Sequence, residues 1–332
     1  MSPFWLLWIL SPLLSLCLDA VLGDPYTWPH PVKWIGSLIG RLESPLRRCF
    51  PSGKKGERRA GRWLVIIVIL LVSIVSIGGM FILGWISLWL ALIVRIWFGY
   101  QFLAARCLVN EAEKTATLLE ANDLDGARQQ TGNLVGRETK DLTKAEVIRA
   151  NVETVAENLT DGVIAPLFWY SIGGLPLIAV YKAINTLDSM VGYRSPRFVN
   201  YGRAAALMDD VVNFIPARIA GLLTVLVAHI LPNCDGRAAW RIFKRDRLQH
   251  LSPNSAQTEA AVAGAIGIKL GGPHVYFGQV VDKPWLGDCD DVPTTRHIHL
   301  TNKLVLTASF LYSFFATLCT AGVLFLALAL LK

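Results

Sequence analysis

Long uncharged runs alternate with polar stretches along this chain, and the runs are too long for the core of a soluble domain. A membrane-spanning helix needs about 20 predominantly apolar residues. Runs of that kind occupy residues 3–22, 63–94, 162–181, 211–231 and 304–331. The run at 63–94 carries no charge and exceeds one span, so it predicts a hairpin of two spans broken at Gly78-Gly79 or Gly84. The run at 162–181 contains Pro166, Gly173-Gly174 and Pro176. It predicts an interrupted or re-entrant segment, tolerated only where protein or a wet cavity satisfies the freed backbone groups. Residues 211–231 are apolar apart from Asn213 and Arg218. The first run lacks a basic leader and a small-residue cleavage site, so it reads as a retained membrane segment, with Pro12 expected to kink it.

The polar stretches have a helical period of their own. Phe102, Ala105, Leu108, Val109, Ala112, Ala116 and Leu119 recur at helical spacing. A polar break is expected over 123–136. Thr143-Lys-Ala-Glu146 then forms a capping box, in which each side chain satisfies an orphan backbone N–H. The helix it opens should run to about Thr160, with Ile148, Val152, Val155 and Leu159 on its apolar face. These patterns predict an all-α, polytopic integral membrane protein with about five to seven membrane segments and cytoplasmic amphipathic helices. They read as one membrane-embedded catalytic domain over 1–332, in which 95–161 and 232–303 are mainly polar, cytoplasmic-side helices and loops.

Composition agrees. Of 332 residues, 53% are hydrophobic and only 17% charged, with a mean hydropathy of +0.43; soluble domains carry about 25% charged residues. The net charge of +7 reads first as cytoplasmic loops obeying the positive-inside rule. Arg41, Arg47, Arg48, Lys54, Lys55, Arg58, Arg59 and Arg62 mark one such loop and put the N-terminus outside. Basic residues are dispersed over several loops, which disfavours nucleic acid and leaves anionic substrates open. Six cysteines without a C-x-x-C pair give neither a disulfide framework nor a zinc site. There is no P-loop motif and no G-x-S-x-G elbow, and His297-x-His299 is a lone pair.

Several constellations could carry chemistry. Glu153, Glu157 and Asp161 stack at successive i, i+4 spacings. Like charges so placed cost roughly 0.2–0.5 kcal/mol per pair, which a divalent cation would relieve; a solvated polar face is the plainer alternative. Lys182, Asn185 and Ser189 share a helix face with Asp188 beside them, directly after an apolar run, where ionisable groups are functional candidates. Arg194, Arg197 and Arg203 follow in a loop suited to phosphate or carboxylate, although positive-inside charge explains them equally well. Asp209, Asp210 and Asn213 abut the next apolar run. His250, Ser252 and Asn254 precede a helix rich in small residues (Ala260, Ala261, Ala263, Gly264, Ala265, Gly267), which permit close approach of another helix or a flat ligand. Asn254 is the expected N-cap, and His274 and Tyr276 lie beyond the helix. Near the N-terminus, Asp24, Trp28 and His30 lie in a proline-fixed loop that could line a site or simply be a turn.

Five blocks carry a resemblance: LDAVLGDPYTWPHPVKWIG, ETVAENLTDGVIAPLFWY, YKAINTLDSMVGYRSPRF, RAAALMDDVVNFIPARI and HLSPNSAQTEAAVAGAIGIKLGGPHVYFG. In this order, from residue 18 to about 280, the chain resembles the adenosylcobinamide-phosphate synthases of cobalamin biosynthesis. The resemblance implies an integral membrane amide ligase that joins aminopropanol phosphate to a propionate of adenosylcobyric acid, with ATP as co-substrate and Mg²⁺. Within that frame Glu153, Glu157, Asp161 and Asp188 are expected to bind Mg²⁺ and phosphate, and Asp209 or Asp210 to act as ligand or base. Asn185 completes the catalytic set. Lys182, Arg194, Arg197 and Arg203 would hold anions. The 250–278 region, with His250, Ser252, Asn254, His274 and Tyr276, would receive the corrinoid together with Asp24, Trp28 and His30. The expected setting is the bacterial inner membrane with the site on the cytoplasmic side. Expected partners are the bilayer, a second copy of the chain or neighbouring pathway enzymes. A membrane prenyl- or phospho-alcohol transferase and a small-molecule or corrinoid transporter are the rival readings.

Overall fold

The computed structural model describes residues 3–25, 27–135, 138–193, 195–250, 252–276, 279–281, 283–289 and 291–330, with the backbone alone at 3, 274–276, 279–281 and 323–330. In chain order the helices are α1 (Pro3–Leu22), α2 (Pro31–Cys49), α3 (Lys54–Ile86), α4 (Leu88–Gln101), α5 (Ala105–Glu120), α6 (Leu124–Gly132) and α7 (Lys144–Leu159). A π-helical turn (Thr160–Ile164) leads into α8 (Ala165–Val191), followed by α9 (Arg203–Ile230), α10 (Gly236–Asp246), α11 (Ser255–Ile266) and α12 (Thr295–Leu330). Between the last two lie two short antiparallel pairs. β1 (Leu270–Gly271) pairs with β4 (Trp285–Leu286), Leu270 opposite Leu286; β2 (His274–Tyr276) pairs with β3 (Gln279–Val281), Val275 opposite Val280. Among the described residues six helical stretches are long and apolar enough to cross a membrane, so the chain is an all-α, polytopic integral membrane protein.

The chain divides into two compact units. The first holds the described residues of Met1–Leu103, Ala165–Asn213 and Ser313–Lys332; the second holds Ala104–Ile164 and Phe214–Tyr312.

In the first unit α3 packs on α2, α4 and α8, and α1 on α4. The expected hairpin is present, but the glycines do not break it. α3 runs unbroken through Gly78, Gly79 and Gly84, and the chain turns at Ser87 instead. The reason is hydrogen bonding. A break inside lipid leaves backbone donors that must be satisfied. Ser87 supplies a side-chain oxygen to the Leu90 N–H (3.4 Å) while its own N–H donates to the Leu83 carbonyl (2.8 Å). A glycine offers no such acceptor.

The expected interruption of 162–181 falls at Gly173-Gly174, where φ/ψ are −132°/16° and 65°/−152°. The Arg95 guanidinium fills the break, for a Cβ on Gly174 would overlap Nη1. Arg95 Nε donates to Ser11 Oγ (2.7 Å), and its guanidinium lies 4.7 Å from the Trp8 ring centre and 5.0 Å from that of Tyr170. The Tyr170 hydroxyl in turn donates to the Arg95 carbonyl (2.7 Å). A lone charge in such a setting is expensive unless it faces protein and is paired; here rings and a hydroxyl surround it.

In the second unit α5, α6 and α7 pack together, and α11 lies between α10 and α7. The apolar face expected for α7 is buried, with Ile148, Val152, Val155 and Leu159 fully enclosed. Its capping box is present: the Glu146 N–H donates to Thr143 Oγ1 (3.4 Å) and the Thr143 N–H to Glu146 Oε2 (2.7 Å). The break expected at 123–136 holds a helix of its own, α6, because Asp123 caps it by accepting from the Gly126 N–H (2.8 Å). The small residues of α11 serve helix packing. A Cβ on Gly264 would press on the Ala238 carbonyl of α10, so that face is covered by backbone.

Candidate functional site

Each unit gathers one cluster of the residues singled out above. In the second unit the cluster is built on the outer face of α7. Glu153 Oε1 accepts the Gly271 N–H (2.6 Å), and Glu157 Oε1 accepts the Ser255 hydroxyl (2.9 Å). One carboxylate is thereby tied to the last residue of β1 and the other to the first residue of α11. Arg149, one turn earlier, donates from Nε to the Lys269 carbonyl (3.0 Å), and its guanidinium lies 5.0 Å from the Trp285 ring centre. Gly272, at φ 84°, lets that ring lie against the backbone.

His250 lies within electrostatic reach of both glutamates. Its Nδ1 accepts the Ser252 N–H (3.1 Å), which leaves the proton of the neutral ring on Nε2. Burial and, next, the Lys283 ammonium push its pKa below the ordinary histidine value, against the pull of Glu157 and Glu153. Ser252 Oγ accepts the Asn254 N–H (3.3 Å). Asn254 stands at the N-cap of α11 as expected, but its side chain caps nothing; Oδ1 instead takes Arg218 Nη1 (3.4 Å). Asp161 lies in the π-helical turn, beyond the last α-helical residue, Leu159, so the i, i+4 register of the acidic stripe ends at Glu157. His274 and Tyr276 form β2; their side chains lie outside the described residues.

In the first unit a buried polar chain links α8 to α9. The Tyr181 hydroxyl donates to Asn213 Oδ1 (2.9 Å), and Asn213 Nδ2 donates to Asp209 Oδ2 (3.0 Å). The other Asp209 oxygen is buried and has no hydrogen-bond partner among the described residues. Lys182 Nζ donates to Asn185 Oδ1 (3.2 Å), and the charges of Lys182 and Asp210 act on Asp209. Asp188 packs over Gly192, where a Cβ would overlap its carboxylate, and the Gly192 N–H ends α8 on the Asp188 carbonyl (2.7 Å).

The Asp24–His30 loop belongs to the same unit. His30 caps α2, its Nδ1 accepting the Val32 N–H (3.3 Å), which directs Nε2 towards Asp24 Oδ2 at 3.6 Å, too long for a hydrogen bond. Burial holds the His30 pKa below its ordinary value despite Asp24, and Lys33 and Lys182 add to the depression. Trp28 stacks on Trp97, ring centres 5.8 Å apart, so one of its faces is covered.

The arginines of the next loop are partly engaged in ion pairs. Arg197 Nη2 pairs with Glu43 Oε1 (2.9 Å), Arg47 bridges Glu43 and Glu57 at 3.1 and 2.9 Å, and the Arg47 guanidinium lies 3.9 Å from the Tyr201 ring centre. Arg197 thus fastens the 195–202 turn to α2 through one of its nitrogens. Arg203 is exposed at the start of α9, and Arg194 lies outside the described residues. The residues that sequence reasoning left aside are Arg149, Ser255, Lys283 and Trp285. Arg95, the first charge after the long uncharged run, could have been found as an ionisable group at a membrane segment.

Mg²⁺ favours one or two carboxylates completed by substrate phosphate and water. Among the described residues no three His, Cys, Asp or Glu side chains come together closely enough to hold a metal ion. Glu153, Glu157, Asp161 and Asp188 are therefore no preassembled cage. The α7 pair fits the ion only in the partial sense, as two carboxylates to which a phosphate is added.

Residues 12–305 match the family described as CobD/Cbib protein. The chain is 48% identical over 295 residues to cobalamin biosynthesis protein CobD of Listeria monocytogenes, a match covering 89% of this chain and 93% of that one. It is 47% identical over 295 residues to the CobD protein of Photorhabdus laumondii, covering 89% and 92%. It is 44% identical over 301 residues to cobalamin biosynthesis protein CbiB of Salmonella typhimurium, covering 91% and 94%. No solved structure matches the chain. With the family model spanning most of its length and relatives so similar from end to end, the chain belongs to the CobD/CbiB family of cobalamin biosynthesis proteins.

Proposed function

We propose that the chain acts in cobalamin biosynthesis as an adenosylcobinamide-phosphate synthase, an amide ligase of the bacterial inner membrane working at the cytoplasmic face. The observation that carries this reading is the tethered pair Glu153 and Glu157, held by donors from β1 and α11 within electrostatic reach of His250, which Lys283 also reaches.

An amine does not displace hydroxide from a carboxylate near neutral pH, so the propionate of adenosylcobyric acid must first be activated. Transfer of the γ-phosphoryl group of ATP to a propionate oxygen gives an acyl phosphate and ADP. The amine of aminopropanol phosphate then attacks the acyl carbon, the C–O bond to phosphate breaks, and the amine proton passes to a base. Mg²⁺, held by Glu153 or Glu157 together with phosphate oxygens, would neutralise charge on the transferring group. Lys283 supplies a cation on the same side. His250, neutral with a proton on Nε2 and its pKa lowered by burial, can hold a substrate oxygen by donation.

A transport reading would use the broken helix α8 as a pathway, but the Arg95 guanidinium occupies that break. A prenyl- or phospho-alcohol transferase would need a lipidic acceptor and no ATP. The test is a mass-spectrometric assay of the detergent-purified chain given adenosylcobyric acid, aminopropanol phosphate, Mg²⁺ and ATP, with single omissions. Product that vanishes without ATP supports the ligase; product from a lipid acceptor without ATP overturns it. Glu157→Gln should lose at least about 100-fold in turnover while keeping its fold, since general base and charge-stabilising roles are each worth that much.

A further inference from the structure

Arg218 is the one cation inside the apolar run of α9, and the chemistry above makes no use of it. Its Nη1 donates to the Phe214 carbonyl (2.6 Å) and to Asn254 Oδ1 (3.4 Å), and the guanidinium lies 3.4 Å from the Phe214 ring centre. Nε and Nη2 have no partner among the described residues. A second guanidinium stands nearby. Arg247 follows α10 directly, 5.3 Å from the Phe243 ring centre, and its side chain makes no hydrogen bond or ion pair among the described residues. Gly221, almost one turn after Arg218, lets α9 close on the Phe243 ring and the Gln257 carbonyl, so α9, α10 and α11 converge at this place. The charge of Arg247 reaches Arg218. Arg218 reaches the Asn254 side chain and the Arg247 carbonyl accepts from Gln257 Nε2 (3.1 Å), so both residues border the first turn of α11, with no carboxylate bonded to either among the described residues.

What meets them is the start of α11. The helix runs for 12 residues, and the side chain of its N-cap residue Asn254 is turned to Arg218, leaving the first-turn N–H groups without a side-chain cap. A helix start of this kind binds anions through free N–H groups and the positive end of the dipole. Gln257, in that first turn, is fully buried. Its Nε2 donates to the Arg247 and Pro253 carbonyls (3.1 and 3.2 Å), and its Oε1 is an acceptor with no partner among the described residues. Ser255, the first residue of the helix, is tied to Glu157. The corner therefore offers a patch for an anion with the Glu157 carboxylate beside it.

We propose that Arg218, Arg247 and the first turn of α11 form a seat for a phosphate monoester. Resting on the ligase reading, the seat takes the phosphate of the amino-alcohol co-substrate, with its ammonium group turned to Glu157. A zwitterion matches this mixed lining of guanidinium groups and one carboxylate, and it leaves Glu153 for the Mg²⁺ of ATP.

The test is binding, measured by isothermal titration on the full chain in neutral-lipid nanodiscs with inorganic phosphate, aminopropanol phosphate, aminopropanol and ATP. Inorganic phosphate should compete with the ester, and the unphosphorylated amine should not bind at the seat. Arg218→Gln and Arg247→Gln should each weaken the ester about tenfold or more, a loss of roughly 1.4 kcal/mol, with ATP unchanged; Arg247→Lys should recover most of the affinity. If Arg218→Gln fails to fold, Arg247→Gln at the exposed end of α10 carries the test. Unaltered ester binding in the Gln variants, an equal loss for ATP, or no phosphate binding by the parent overturns the seat. Displacement of the ester by added anionic lipid also overturns it, in favour of a headgroup. Turnover is read separately: ester binding through the pair without amide synthesis would sink the ligase and leave the seat, whereas synthesis with normal KM in Arg247→Gln would do the reverse.

Discussion

Substituting Gly174 by Ala perturbs the point on which the first unit turns. At φ 65° and ψ −152° the residue occupies a region open essentially to glycine alone, and holding an L-residue there costs about 1–3 kcal/mol. The added Cβ also overlaps the Arg95 guanidinium. The end of a long side chain normally moves aside at little cost. This one is bonded to Ser11 and flanked by the Trp8 and Tyr170 rings, so displacing it forfeits a charged hydrogen bond of about 1.5–3 kcal/mol. It also weakens cation–π contacts worth about 0.5–2 kcal/mol. The expected destabilisation is about 3–8 kcal/mol, in the range reserved for strained backbone and broken buried networks. Unfolding of the purified chain in mixed micelles, followed by tryptophan fluorescence, measures it. Gly174→Ala in an Arg95→Ala background should cost only the backbone part, giving a coupling of about 2 kcal/mol or more. A single-mutant change below about 0.5 kcal/mol, or no coupling, would refute the account of Arg95 as the filler of the break.

Other expectations are more local. Thr143→Ala removes one half of the α7 capping box and should cost about 1 kcal/mol, read by the same unfolding assay, with Thr143→Ser restoring most of it. Tyr201→Phe should be neutral or slightly stabilising, because the Tyr201 hydroxyl is buried without a partner among the described residues and the Arg47 contact needs only the ring. Burial, with Glu43 adding to it, pushes the Tyr201 pKa up to about 12 against the pull of Arg47. A raised phenol pKa contributes stability that is complete below the unfolded value near 10 and lost as pH rises through the folded one. The parent should therefore lose stability between those limits by one proton more than Tyr201→Phe does, as unfolding titrations at alkaline pH would show.

The local features of this chain were legible in its residues. The apolar runs, the capping box, the buried face of α7 and the interruption at Gly173-Gly174 each depend on neighbours within a turn or two, where spacing alone settles which groups meet. The recurrence of five ordered blocks likewise sufficed for the family. Contacts between distant parts of the chain were not legible. Glycines at 78, 79 and 84 looked like breakers, yet the hairpin turns where Ser87 can cap a new helix, a choice made by hydrogen bonding in a medium without water. Arg197 looked like an anion ligand, yet Glu43, more than 150 residues away along the chain, is its partner. The small residues of α11 allowed a helix or a flat ligand, and packing on α10 chose the helix. The carboxylates of α7 were visible as a stripe from the outset. That Gly271 and Ser255 hold two of them, and that Arg218 and Arg247 both border the start of α11, was decided only when segments remote in sequence closed on one another.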